Sequence, residues 1–419
     1  MRIHRTTAWF CVALALAAAG CGSTAPSTTS SDPLRRTRTL VIESDLPLDG
    51  PAALQMASIV DGELLALHEV GWHVREWRVQ FLNQDDTDPS SGTWNPGVTA
   101  QAAHATTVNP AVVAYIGDWD SGATATSLQV TNATGTLQVS PWSPYVGFTD
   151  PSPADDKGDP ARFQSTGQST FARLVPSDAV QARACVSYMR SLGVSRLYVL
   201  GDVSDPFDAD FAQLVANDAP KAGIYVVGDQ AIDTGTNTQP AGYAAYASAA
   251  AQQRADAVLF AGAPSAGAAA LLGELHGVLK HAKLFLPSTL ATPDFLAGIG
   301  PAAAATYVTS PILELRQYPK LGRRMLAAYR RRFGVAPTAY ALYGYEAMRD
   351  VLNAIRAAGH SAGNRASLLR HFFNLGLIHG AIGDYVINSH GDSSLRTLDG
   401  YRVSASGALI DPQPFTVGP

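Results

Sequence analysis

The sequence predicts an α/β protein built as two doubly wound lobes, and three observations carry that prediction. Short β-rich runs alternate with helical stretches from Thr39 onward, the rhythm of a parallel sheet covered on both faces. That rhythm stops at a polar, proline-bearing stretch over 150–168 and then restarts. The chain has 419 residues, 46% hydrophobic and 16% charged, which is too much for one ordinary core and suits two.

The elements follow in order. "TLVIES" reads as a strand, followed by a loop through Asp49, Gly50 and Pro51 and a helix reaching about Val70. Pro51 suits the first helical turn, where its missing N–H costs nothing. Gly71 ends that helix, and "WRVQFLNQDD" is the next strand. A helix over Thr99 to Val108 leads to "AVVAYIG", then a helix through Val130, then "TLQVSP". After the break, "RLYVLGD", "GIYVVGD", "DAVLFAG" and "KLFLPS" are four more strands, separated by helical runs such as Phe211 to Asp218 and Ala266 to His276. The clearest helix spans Ala339 to Ala358, with Leu342, Tyr345, Met348, Val351, Leu352 and Ile355 on one stripe and Gly359 as its stop signal.

The first residues are not part of that fold. Arg2 and Arg5 precede an apolar run, Ala8 to Ala19, that is too short for a permanent bilayer span. Ala18, Ala19 and Gly20 then lead into Cys21. The segment resembles a bacterial lipoprotein signal that is cut before a lipidated cysteine, with Ala18 where such signals prefer leucine. A plain secretory signal is the alternative reading. Gly22 to Pro33 is a polar tether. Cys11 leaves with the signal and Cys21 takes the lipid, so the mature body keeps Cys185 alone and forms no intrachain disulfide. Cys185, beside Val186, reads as a buried structural thiol. The formal net charge is −5, and the Arg330, Arg331 and Arg332 run reads as a solvated helix face. No nucleic-acid partner is expected.

Several catalytic signatures fail on spacing. His68 and His73 lie five apart, so they cannot share the helix face that a zinc pair needs. In "GAPSAG", Ala263 occupies the first glycine position of a nucleophile elbow around Ser265, and the segment reads as a strand-to-helix turn. Asp85, Asp86 and Asp88 lack the alternating ligands and terminal glutamate of a calcium loop and read as a solvated turn. No phosphate loop occurs. The expectation is a protein that is not an enzyme, with no cofactor and no metal.

The segment "YIGDWDSGATATS" is different. A strand-like run ends at Gly117, and acid, indole and hydroxyl groups follow at the start of a helix. In open parallel sheets, ligands sit beyond the carboxyl ends of the strands, where helix N-termini point. Ser121 and Thr124 offer hydroxyls there, and first-turn N–H groups favour an anion. The competing reading is a plain helix cap at Asp120 or Ser121. Trp119, in a stretch without apolar period, reads as a cleft residue.

Here the chain resembles the type I periplasmic (solute) binding proteins of the leucine/isoleucine/valine class, which serve ABC importers. The likeness runs from about Thr39 to Val403. "LNQDDTDP" is similar to that family's strand and aspartate-proline turn, and "VVAYIGDWDSGATATSLQVTNATGTLQVSP" to its hydroxyl-rich ligand segment. "TFARLVPSDAVQARACVSYM" resembles its first crossover, "AYALYGYEAMRDVLNAIRAAG" its late helix, and "GAIGDYVINSHGDSS" its final crossover.

The resemblance implies two Rossmann-like lobes, each a parallel sheet flanked by helices, joined by three crossovers around a ligand cleft. It implies a signal peptide over 1–20 and a tether over 21–37. Lobe 1 would comprise 38–173 with 309–383, and lobe 2 174–308 with 384–419. Ser121 and Thr124 would hold a ligand carboxylate, with Trp119 and Asp120 just before them. Trp142 and Ser143 would form the second ligand loop. Gln55, Phe207 and Ala263 fall near side-chain contacts, and Ser288 stands where an acid often meets the ligand ammonium. A further expectation is that Asp120, with Asp118 as a second candidate, supplies that missing acid and that Trp119 and Trp142 sandwich an apolar or planar group. The implied function is an extracytoplasmic, lipid-anchored monomer that captures a small polar ligand, such as an amino acid or amide, for an ABC permease. A sensor of the same fold with a membrane signalling partner is the alternative, followed by a secreted hydrolase.

Overall fold

The computed structural model describes residues 38–90, 92–151, 158–235 and 240–418. The expected signal, Cys21 and the whole of the tether lie outside the described residues.

The first sheet contains β1 (Arg38–Leu46), β2 (His73–Val74), β3 (Trp77–Asp85), β4 (Val112–Ile116), β5 (Leu137–Ser140) and β6 (Phe171–Arg173) in the order β2-β3-β1-β4-β5-β6. Its pairings are parallel except β2 with β3. Helices α1 (Ala53–Glu69), α2 (Pro96–Val108) and α3 (Ser121–Ala133) return the chain between strands. Pro51 lies ahead of α1 and not in its first turn. The Gly50 carbonyl accepts the Ala53 N–H at 3.1 Å, so a tight turn separates the proline from the helix.

The second sheet contains β7 (Arg196–Asp202), β8 (Tyr225–Ile232), β9 (Ala257–Ala261), β10 (Lys283–Leu286) and β11 (Thr306–Ser310). It alternates with α4 (Asp178–Ser191), α5 (Pro206–Asp218), α6 (Pro240–Gln252), α7 (Ala266–Val278) and α8 (Pro293–Gly298). The chain then supplies α9 (Lys320–Phe333), α10 (Tyr340–Ala358) and α11 (Arg365–Phe373) to the first lobe, and a small ribbon of β12 (Ile378–His379) and β13 (Asp384–Tyr385). Finally β14 (Thr397–Val403) and β15 (Leu409–Thr416) extend the second sheet, giving the order β15-β14-β11-β10-β9-β7-β8. The architecture is the expected two-lobed α/β fold.

Continuous apolar strands reflect burial on both faces. In the second lobe Tyr198, Leu200, Val258 and Phe260 point into one core, while Leu197, Val199, Ala257 and Leu259 point into the other. In the first lobe α10 is the central helix, and it crosses α1 at close range. A Cβ on Gly62 would lie 2.1 Å from the Ala341 carbonyl oxygen, and one on Gly344 the same 2.1 Å from that of Ile59. Only glycine at both positions lets the two backbones approach this closely. Cys185 is fully buried, and burial pushes its thiol up to about 12, so it is an inert core residue as expected. Arg330, Arg331 and Arg332 are exposed at the end of α9.

The chain passes between the sheets after β6, after β11 and between β13 and β14. A buried ion pair ties the first passage to the third. Arg173 Nε donates to Asp392 Oδ1 at 2.7 Å, and the Arg173 N–H donates to the Gly391 carbonyl at 2.9 Å. The remaining guanidinium donors reach the Ser143 and Tyr145 carbonyls and the Thr149 hydroxyl. A charge this deeply buried is tolerable only when its donors are met in this way.

Candidate functional site

A cleft of about 530 Å³ opens between the lobes. It lies where strands end and helices begin, the place that parallel sheets reserve for ligands. Trp119 to Gly122 follow β4, Trp142 follows β5, Ser204 to Phe207 follow β7, Ala263 to Ala266 follow β9, and Thr289 follows β10; all of them line the cleft.

Six of the residues picked from sequence line it: Trp119, Asp120, Ser121, Trp142, Phe207 and Ala263. The other four sit behind the wall. Thr124 is fully buried, with its Oγ1 2.5 Å from Ser143 Oγ and near the Asp118 N–H at 3.4 Å. The Ser143 hydroxyl also donates toward the Asp118 carbonyl at 3.0 Å, so this pair braces the turn that carries Trp119 and Asp120. Gln55 is buried on α1. Ser288 is buried, and its N–H donates to Gln181 Oε1 at 3.0 Å, while its neighbour Thr289 reaches the cleft.

Charge dominates the cleft. Asp120, Asp178, Asp205, Asp208 and Asp294 line it, and no Lys, Arg or His among the described residues does. Most of these acids are fixed by helix starts. Asp120 caps α3, its Oδ1 accepting the Gly122 N–H at 2.9 Å. Asp205 caps α5, accepting from the N–H groups of Phe207 at 3.1 Å and Asp208 at 3.2 Å. Asp178 opens α4 and accepts from Gln181 Nε2 at 3.1 Å, and Asp208 accepts from Thr289 Oγ1 at 3.3 Å. The cap reading and the cleft reading of Asp120 therefore hold together, because one geometry serves both.

The acids crowd one another. Burial, then the Asp205 charge across the cleft, pushes Asp120 up to about 7. Burial pushes Asp178 up to about 7 against the opposing pull of Arg173. Asp208 is held well above the usual carboxylate range by burial and then by Asp205 and Asp178. Ionising these acids together is unfavourable, and either protons or a cationic group relieves the repulsion.

The aromatic residues are arranged differently from the sequence expectation. Trp119 and Trp142 stack on each other, with centroids 4.6 Å apart and planes 14° apart. No planar group fits between them; the sandwich is a stack. Tyr340 explains it, packing against both indoles at 5.2 and 5.1 Å and fixing the pair as one aromatic plate. Trp94 is a wall residue that sequence reasoning missed. Its ring lies against Gly122, where an added Cβ would come within 2.3 Å of Trp94 Cζ2. The missed acids Asp178 and Asp205 carried a signal, since each stands at a helix start after a strand or crossover.

The aspartate turn after β3 also departs from expectation. Asp86 is not solvated: it is fully buried, and its Oδ2 accepts from Thr99 Oγ1 at 2.6 Å. Only Asp86 is drawn inward, against Thr99 of α2; Asp85 is exposed and Asp88 half-buried, as the solvated reading expects. Ser265 behaves as read from sequence, capping α7 by accepting the Ala268 N–H at 3.0 Å.

No curated protein matches the chain by sequence. Among solved structures, a leucine-binding protein LivK from Thermotoga maritima superposes with a TM-score of 0.72 at 18% identity, covering 89% of this chain and 97% of that one. An ABC transporter substrate-binding protein from Desulfitobacterium hafniense in complex with Leu gives 0.70 at 18% identity, covering 90% and 100%. A solute-binding protein of an ABC transporter from Rhodopseudomonas palustris BisB5, in complex with 3,4-dihydroxybenzoic acid, gives 0.67 at 16% identity, covering 90% and 97%. These likenesses establish the fold. The model of the periplasmic binding protein family matches residues 46–407, nearly the whole described body, and that family binds solutes outside the cytoplasm and performs no catalysis. The chain therefore belongs to the periplasmic binding protein family, as its strand-exit and crossover segments implied.

Proposed function

We propose that this protein captures a small cationic solute in its interlobe cleft and delivers it to the permease of an ABC importer, tethered to the membrane by lipid on Cys21. The observation that carries the reading is the lining: five aspartates from both lobes and no basic side chain among the described residues. A solute with an ammonium, guanidinium or quaternary nitrogen offsets the mutual repulsion of these acids. It gains charge-assisted hydrogen bonds, each worth about 1.5–3 kcal/mol. The apolar part of the solute rests on the faces of Trp94, Trp119, Phe207 and Phe295, where a cation also gains from the ring quadrupole. Ser121 and the start of α3 remain to meet a carboxylate or carbonyl end, so a basic amino acid or amino amide fits better than a simple acid.

A ligand that contacts both walls favours the closed state, since only differential affinity shifts the equilibrium. The hinges are the three passages between the sheets, near Arg173 to Pro176, Tyr307 to Pro311 and Ile382 to Val386. A thermal-shift panel of amines, basic and neutral amino acids, amides, aromatic acids and sugars tests the reading, because a ligand bound only by the native state raises its stability. The hit should be a cation, and small-angle scattering with that hit should show compaction. A panel in which only anions or sugars stabilise the protein sinks the proposal.

A further inference from the structure

Beneath the cleft floor lies a second group of acids that the solute reading does not use. Asp45 is at the end of β1, Asp86 just past β3, and Asp118 just past β4. All three are fully buried, and one carboxylate oxygen from each lies within 4.8 Å of the others. We propose that Asp45, Asp86 and Asp118 bind one divalent cation, Ca²⁺ in preference to Mg²⁺, at a site separate from the solute cleft.

The donors present do not satisfy these carboxylates. The Tyr115 hydroxyl lies 2.9 Å from Asp45 Oδ2 and 2.6 Å from Asp118 Oδ1, yet it has a single proton to donate. Ser127 and Gln138 hold Asp118 Oδ2, and Thr99 holds Asp86 Oδ2. Asp45 Oδ1 and Asp86 Oδ1 are buried with no hydrogen-bond partner at all. Unpaired carboxylate oxygens in a sealed interior are costly and call for a missing partner. No salt bridge among the described residues includes any of the three acids.

Oxygen donors select a hard cation, and a fully buried set of protein carboxylates favours Ca²⁺, because Mg²⁺ dehydrates reluctantly and usually keeps several waters. The ion would join the ends of three adjacent strands directly under the Trp119–Asp120 turn, since the Asp118 carbonyl is held by Ser140 and Ser143.

The test uses the full chain, stripped with chelator and titrated with CaCl₂ or MgCl₂ by calorimetry and thermal melting, with metal analysis of protein purified without chelator. One equivalent of calcium, a melting temperature that climbs with Ca²⁺, and weaker Mg²⁺ binding are expected. Asp86→Asn and Asp45→Asn should each weaken Ca²⁺ by at least about tenfold, because ligand charge sets affinity in such sites. Both variants remove one of three repelling charges, so each should melt at or above the stripped wild type. Asp178→Asn, in the cleft, should leave Ca²⁺ binding unchanged, which keeps this site distinct from the solute proposal. No bound calcium up to millimolar concentration, or Ca²⁺ binding that survives both substitutions or is lost in Asp178→Asn, overturns the proposal.

Discussion

The two walls of the cleft divide the work of recognition. The first lobe contributes Trp94, Trp119 and Trp142 with a single carboxylate, Asp120. The second contributes Asp178, Asp205, Asp208 and Asp294, with Phe207 and Phe295. One wall is an aromatic plate and the other a carboxylate field. A solute held by one lobe alone meets most of the carboxylates or most of the indole surface, and only the closed cleft presents both in full. That asymmetry supplies the differential affinity that lobe closure requires.

The contrast can be broken from the acidic side first. Asp208→Asn and Asp178→Asn should each weaken a cationic ligand by roughly ten- to a hundredfold, the value of one charge-assisted hydrogen bond, as read by calorimetric titration. Ligand-free melting temperatures should rise in both, because a buried like charge is gone. Asp120→Asn should fall in the same affinity range while keeping its helix cap, since asparagine caps as well as aspartate.

The pH dependence follows from Asp178, which is pushed from 3.8 up to about 7 by burial. Its folded value lies above its unfolded one, so the unfolded chain loses this proton first. The contribution to stability is full below about pH 4 and is lost as pH rises to about 7. Ligand-free protein should therefore melt lower at pH 8 than at pH 5. A bound cation favours the ionised acid, so cation affinity should rise by up to about tenfold between pH 6 and pH 8, with proton release on binding. Calorimetry in buffers of different ionisation enthalpy measures both effects; affinity that falls over this range contradicts the acid-driven account.

The aromatic wall should show smaller effects on binding. Trp119→Ala removes a ring face worth about 0.5–2 kcal/mol to a cation, roughly 2- to 30-fold in affinity. It should also lower the melting temperature, because Trp142 and Tyr340 lose a stacking partner. Ser121→Ala should cost least, about 0.5–1.5 kcal/mol, with backbone donors still in place.

Much of the architecture was legible because both-face burial writes itself as short apolar runs such as "RLYVLGD", which forms β7 over the same residues. The strand-exit rule pointed to Trp119, Asp120 and Ser121, and the family resemblance to Trp142, because their positions relative to β4 and β5 are local in sequence. The carboxylate wall was not legible. Asp178 and Asp205 look like ordinary helix openers, and nothing local says that they face Asp120 across a gap. The group of Asp45, Asp86 and Asp118 was less legible still. Its members are far apart in the chain, and strand order brings them together, so one aspartate of a turn that reads as solvated is buried against α2. Trp94 was missed because its role depends on Gly122 leaving room for an indole.

The central claim is that charge on the solute, and not its shape, decides whether the cleft fills. Matched pairs test it most directly: arginine against citrulline, and benzylamine against benzoate, each titrated into wild-type protein at low and high salt. The account predicts that within each pair the cation binds at least about tenfold tighter, consistent with one charge-assisted hydrogen bond, and that salt erodes the difference. Equal binding within the pairs, or tighter binding of citrulline or benzoate, would contradict it.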